Sequence, residues 1–224
     1  MKTAYIDCFS GISGDMFLGA LIDAGLPFEE LKLALNTLPI DRYYIEAKKE
    51  TRNGIAGTRF IVSQEHEAHH SHRGLKEIRE IIEKGAISNK VKEKSLRIFK
   101  RIAVEEGKIH GCPEDEIHFH EIGAIDSIID IVGTCFGIEF LGIDTISSSR
   151  LPMGSGFIES RHGRLPLPAP ATIALLKGVP VYDSGLEVEL VTPTGAALLS
   201  EFADSFGSMQ PMTIDAVGYG AGSR

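Results

Sequence analysis

The sequence predicts an α/β protein: a mixed sheet with packed helices and a mainly helical middle segment. Three observations carry this. Strand-like apolar runs alternate with amphipathic helical stretches over most of the length. A glycine-containing turn, DCFSGISGD, joins the first strand-like run to an apolar helix. Between residues 74 and 141 helical periodicity dominates.

Residues 3–8 read as a short buried strand. The apolar helix after the turn covers about 16–24 and stops at Gly25. Pro27 opens a second helix whose apolar faces are Phe28, Leu31, Leu33, Leu35 and Leu38. Residues 43–50 and 57–64 are strand-like around Asn53-Gly54, a dipeptide that tolerates positive φ and so favours a hairpin. The connection looks longer than two residues, which leaves the register open. EHEAHHSHR, 65–73, reads as a polar linker or loop. Helices follow at about 74–84 and 88–108, Pro113 opens a turn, and a long helix covers about 121–141. Short strands are expected at 147–151 and 157–160. Pro166, Pro168 and Pro170 break the chain before a helix at 170–177. Residues 179–182 and 187–191 are strand-like. Thr192 then caps a helix with Pro193 at its first position. The chain is read as one region, 1–224, divisible into an α/β part at 1–72 and a helical plus α/β part at 73–224.

Composition narrows the function classes. Asp plus Glu number 31 against 23 Lys plus Arg, a formal charge of −8. That balance argues against non-specific nucleic-acid binding, which needs phosphates neutralised by Lys and Arg. At 43% hydrophobic and 24% charged residues, the chain has the profile of a folded protein. Three cysteines, Cys8, Cys112 and Cys135, do not make a disulfide framework and contain no CxxC pair. No run approaches the ~20 apolar residues of a membrane span. The apolar stretch 16–26 contains Asp23 and lacks the marks of a secretory signal. A cytoplasmic protein without membrane or nucleic-acid partners is expected, and its apolar helices suit a homo-oligomer.

Four constellations stand out. In DCFSGISGD, two glycines between strand and helix let backbone N–H groups face an anion. No Lys is present, so this is not a Walker A loop. Asp15 makes a cation site an alternative, and a plain βα turn is another. In HFHEIGAIDSIID, His118 and His120 fall on one side if extended, and Asp126 and Asp130 share a helical face at i, i+4. Carboxylates among Ile125, Ile128, Ile129, Ile131 and Val132 are costly unless paired or metal-bound. Imidazole plus carboxylate suits Zn, Fe, Ni or Mn, against the plainer reading of a solvated stripe. His66, His69, His70 and His72 form a tract that binds late transition metals or serves as a soluble linker. Arg161-His162, Arg150, Thr192 and Thr194 could meet an anionic ligand. No G-x-S-x-G elbow is present.

Taken together, five stretches in order resemble one family over nearly the whole length. They are DCFSGISGDMFLGALIDAGLP, the His-rich loop before GLKEIREII, HFHEIGAIDSIIDIVG, RHGRLPLPAPATIALLKG and ELVTPTGAALL. The family is LarC, the nickel-insertion protein for the nickel-pincer nucleotide cofactor. The resemblance implies a lyase-type nickel chelatase (a cyclometallase) acting on pyridinium-3,5-bisthiocarboxylic acid mononucleotide. It uses CTP with Mn²⁺ or Mg²⁺, and Ni²⁺ ends bound by two sulfurs and a ring carbon. The residues fit this job. His118, His120, Asp126, Asp130, His66, His69, His70 and His72 are the candidate nickel ligands. Ser10, Gly11, Ser13, Gly14, Asp15 and Thr194 are the candidates for holding the nucleotide. Forming a metal–carbon bond releases the ring proton, so a base among Glu121, Asp126 and His120 is expected. Members of the family usually continue beyond the GYGAG segment, and the CTP site is expected in that C-terminal part, which becomes a partner of this chain. Two other classes are a His-rich nickel storage or delivery module, and an Mg/Mn-dependent phosphoryl-transfer or hydrolytic enzyme built on Asp7, Asp15, Asp126 and Asp130.

Overall fold

A computed structural model describes residues 1–40, 43–52, 54–64, 73–119, 125–160 and 163–222. The elements run β1 (Thr3–Ile6), α1 (Gly14–Asp23), α2 (Phe28–Leu35), β2 (Tyr43–Arg52), β3 (Ile55–Gln64), β4 (Arg73–Gly74), α3 (Leu75–Lys84), α4 (Asn89–His110), β5 (His118–Phe119) and α5 (Ile125–Phe140). They continue as β6 (Thr145–Ser148), β7 (Leu151–Met153), β8 (Phe157–Ser160), β9 (Gly163–Pro166), α6 (Pro170–Leu175), β10 (Val181–Asp183), α7 (Pro193–Phe202) and β11 (Ser205–Phe206). Helices and strands interleave as the apolar alternation requires, so the fold is α/β with a helical middle.

The strands pair in small separate sheets, some parallel and some antiparallel. β1, β6 and β11 form a parallel three-stranded sheet with β6 central. β7 and β10 pair in parallel, while β2–β3 and β8–β9 are antiparallel hairpins. In the first hairpin Arg52 pairs with Ile55, so the turn holds two residues, fewer than the sequence suggests. Gly54 there takes φ +84°, a left-handed conformation suited to glycine. Segment 187–191 is corrected from strand to a single bridge, Ile12 to Val191. Among the described residues it has no ladder partner beyond that bridge, and the chain bends at 187–188. The division at residue 72 falls outside the described residues.

Helix α5 is the centre of the core. Its Ile128, Ile129, Ile131 and Val132 are fully buried, each worth about 1.5–3 kcal/mol over exposure. It packs against α1, α2, α4 and α7, which is why its sequence is apolar nearly all round. Among the described residues no helix is long and apolar enough to cross a membrane.

The last stretch forms a strap. Tyr219 O accepts from Thr58 N–H at 2.8 Å, and Ala221 N–H donates to Thr58 O at 2.9 Å. The strap therefore extends the β2–β3 hairpin in parallel fashion beside Thr58. It runs so close to α1 that a Cβ at Gly220 would lie 1.8 Å from Met16 O. Only glycine permits that approach.

Candidate functional site

The site forms where three helix starts meet. After β1 the chain turns at Gly11, whose φ is +98° and whose Cβ would fall 1.9 Å from Leu190 O. Ile12 N–H donates to Leu190 O at 2.9 Å and Thr192 N–H to Ile12 O at 3.1 Å. These two bonds lay the start of α1 beside the start of α7. Thr192 caps α7 as its sequence suggests, Oγ1 accepting from Gly195 N–H at 3.2 Å. At the start of α1, Ser13 makes no side-chain cap. Its hydroxyl donates to the Asp15 carboxylate instead.

The first turns of α5 complete the floor. Asp126 Oδ1 accepts from Ser127 N–H at 2.8 Å, and Ser127 Oγ lies 3.5 Å from Thr194 Oγ1 on α7. Asp130, one turn on, rests against Gly14, where a Cβ would come within 2.5 Å of Asp130 Oδ2. Glycine at position 14 leaves the room that this carboxylate occupies.

Asp130 stands out electrostatically among the described carboxylates. It is 8% exposed, and its Oδ1 has no hydrogen-bond partner among the described residues. Burial, then the nearby charges of Asp15 and Asp126, raises its carboxyl well above the usual carboxylate range. A buried carboxylate without a donor is costly, and proteins keep one where a ligand, cation or proton completes it.

Above this floor lies a cavity of about 400 Å³, the size of a small-ligand site. Its floor is Ser13, Gly14, Asp15, Asp126, Ser127, Asp130 and Thr194. One wall is β3, with Arg59, Phe60 and Val62, and the other is the β8–β9 hairpin, with Ile158 and Leu165. Glu189 and Thr192 also line it. The space thus joins an acidic floor to apolar walls. Two helix N-termini, those of α1 and α7, open onto it with their partial positive ends.

Several residues singled out in the sequence meet here. Ser13, Gly14, Asp15, Thr194, Asp126 and Asp130 line one space although they come from three separate segments. Ser10 and Gly11 belong to the same turn as Ser13 but do not line the cavity, and exposed Asp7 also lies off it. His118 sits on β5, whose backbone pairs it with Gly74. His120, Glu121, Arg161, His162, His66, His69, His70 and His72 lie outside the described residues. Among the described residues, no group of three or more His, Cys, Asp or Glu side chains is placed to hold a metal ion. A metal at this floor would take further donors from a bound substrate or from residues beyond that set. Burial pushes the Cys8 thiol up to about 11, so it stays protonated at neutral pH and is no ready nucleophile.

Arg59 and Glu189 were not singled out by sequence reasoning. Arg59 is a lone cation ahead of the apolar run Phe60-Ile61-Val62, the one local signal that could have marked it.

Fold and floor together define an α/β protein with an acidic ligand pocket at converging helix starts. The chain belongs to the nickel insertion protein family, whose model matches residues 4–224. A protein of Geobacillus kaustophilus, named pyridinium-3,5-bisthiocarboxylic acid mononucleotide nickel insertion protein, is 46% identical over all of this chain and 56% of its own length. One of the same name from Desulfitobacterium hafniense is 49% identical over all of this chain and 55% of its own. A family relative from Syntrophobacter fumaroxidans is 51% identical over all of this chain and 57% of its own. The chain spans a little over half the length of these curated relatives. No solved structure matches it.

Proposed function

We propose that this chain is the nickel-handling part of a lyase-type chelatase that inserts nickel into pyridinium-3,5-bisthiocarboxylic acid mononucleotide. The relatives from Geobacillus kaustophilus and Desulfitobacterium hafniense carry that substrate in their names. The observation that carries the reading is Asp130: a buried carboxylate with an unpartnered oxygen, in a ligand-sized cavity shared with Asp126 and Asp15.

The chemistry follows from the substrate. Two sulfur–nickel bonds and one carbon–nickel bond form, one ring C–H bond breaks, and its proton passes to a base. No electrons are gained or lost. Asp126 and Asp130 offer oxygen donors that hold Ni²⁺ loosely enough for the softer sulfurs to draw it away. His118, His120 and the tract His66, His69, His70 and His72 supply imidazole donors in this reading. Asp126, Glu121 or His120 takes the ring proton. The amides and hydroxyls at the starts of α1 and α7, from Ser13, Gly14, Asp15 and Thr194, position the nucleotide. CTP with Mn²⁺ or Mg²⁺ acts through the remaining length of the protein. The assembly is cytoplasmic and homo-oligomeric. The phosphoryl-transfer alternative is less favoured, because Asp7 lies off the cavity that Asp15, Asp126 and Asp130 share.

Nickel titration of the chain, with and without residues 66–72, tests this. The enzyme reading expects a nickel site that survives the deletion and tightens when the dithiolated mononucleotide is added. Loss of all nickel binding with the deletion would instead identify a storage or delivery module.

A further inference from the structure

We propose that Arg59 is the anion-recognition residue of the pocket: it leaves Glu50 and pairs with the phosphate of the bound ligand. This rests on the reading that the cavity receives a pyridinium mononucleotide. Four carboxylates line the cavity, those of Asp15, Asp126, Asp130 and Glu189, and Arg59 is the one cationic side chain among the described lining residues. A phosphate entering beside these acidic groups gains from a cation next to it. Guanidinium is the group that matches two phosphate oxygens in one plane.

Its present partner is one it can leave. Arg59 Nη1 donates to Glu50 Oε1 at 3.2 Å, with the two side chains 30% and 26% exposed. Pairs this open to water contribute little to folding. Glu50 also accepts from Arg52 Nη2 at 3.2 Å through its other oxygen. When Arg59 departs, Glu50 keeps a partner and no buried charge is orphaned. The backbone of Arg59 meanwhile stays fixed. Thr58 on one side is bonded to the strap at Tyr219 and Ala221, and Phe60 on the other is 1% exposed in the core. A side chain in a water-accessible ion pair, on an anchored backbone at a cavity wall, is suited to closing on a ligand. The positive ends of α1 and α7 at the same cavity favour the same charge.

The test is calorimetric binding to the 224-residue chain of two probes: the dithiolated pyridinium mononucleotide, and the same nucleoside without its phosphate. R59Q is expected to weaken the mononucleotide about 30-fold and to change the nucleoside less than about twofold. R59K is expected to recover part of the loss, since it keeps the charge without the planar fork. E50Q releases Arg59 and is expected to leave the mononucleotide affinity equal or tighter. If the Arg59–Glu50 pair only braces the wall, E50Q loses as much as R59Q, and the proposal fails. It also fails if R59Q weakens both probes alike, which assigns Arg59 to the thiocarboxylates or to structure. Absence of mononucleotide binding to the unaltered chain overturns the underlying functional reading along with this one.

Discussion

Asp23 closes the C-terminal end of α1, and Asp130 lies against its N-terminal end at Gly14. The Asp23 side chain is 10% exposed and Asp130 is 8% exposed, yet their surroundings are opposite. Asp23 accepts from the Thr58 hydroxyl at 2.5 Å and from Tyr219 N–H at 3.0 Å, and pairs with Lys49. Burial raises its pKa, but the bonds from Lys49, Thr58 and Tyr219 outweigh that and hold the carboxyl below its ordinary range. Among the described residues Asp130 has no such donors, and its carboxyl is displaced upward by burial and by the charges of Asp15 and Asp126. One carboxylate is completed by the fold and fastens helix, hairpin and strap together. The other has an oxygen without a partner among the described residues, and it faces a cavity. Burial alone does not separate these two acids; the donors around them do.

The sharpest way to break this contrast is D23A. It leaves the Thr58 hydroxyl and the Tyr219 N–H without their acceptor, and about 3 kcal/mol of unfolding free energy should be lost, as read by urea denaturation. A loss below about 1 kcal/mol would mean that the strap is held by backbone pairing alone. G220A forces a methyl against the Met16 carbonyl and should cost about 2 kcal/mol in the same assay. D130N addresses the other aspartate. Because its pKa is raised in the fold, the native state holds a proton that the unfolded chain gives up. Its contribution to stability is therefore present below the ordinary value of 3.8 and is lost as pH rises through the folded pKa. D130N should then raise Tm by about 3 °C at pH 8, with the gain vanishing toward pH 4. Asp23 behaves oppositely: its stabilisation is present above 3.8 and fades as pH falls through its lowered folded pKa. The smallest effect is expected from R59Q, less than about 0.5 kcal/mol in stability, since its ion pair is only half-buried and open to water.

What the sequence made legible follows from range. The start of α7 could be read because Thr192 and Pro193 act on their own helix. The carboxylates Asp126 and Asp130 stood out because charge at i, i+4 is anomalous in an apolar helix. Asp23 could be seen only as a charge interrupting an apolar stretch. Its partners Lys49, Thr58 and Tyr219 lie 26, 35 and 196 residues away, and no local pattern links them. The same holds for the cavity walls. Arg59, Ile158 and Leu165 reach the helix starts only through tertiary packing. Segment 187–191 looked like a strand because its apolar residues alternate with acidic ones, but the chain bends at 187–188 and among the described residues its one bridge is Ile12 to Val191.

In the function proposed above, the acidic floor at Asp126 and Asp130 is where nickel meets the mononucleotide. Equilibrium dialysis of nickel against the chain saturated with the dithiolated mononucleotide tests it most directly, comparing the unaltered protein with D126A and D130N. Each substitution is expected to weaken nickel retention on the order of tenfold or more while the fold, followed by circular dichroism, is unchanged. Unaltered nickel retention in both variants would contradict it.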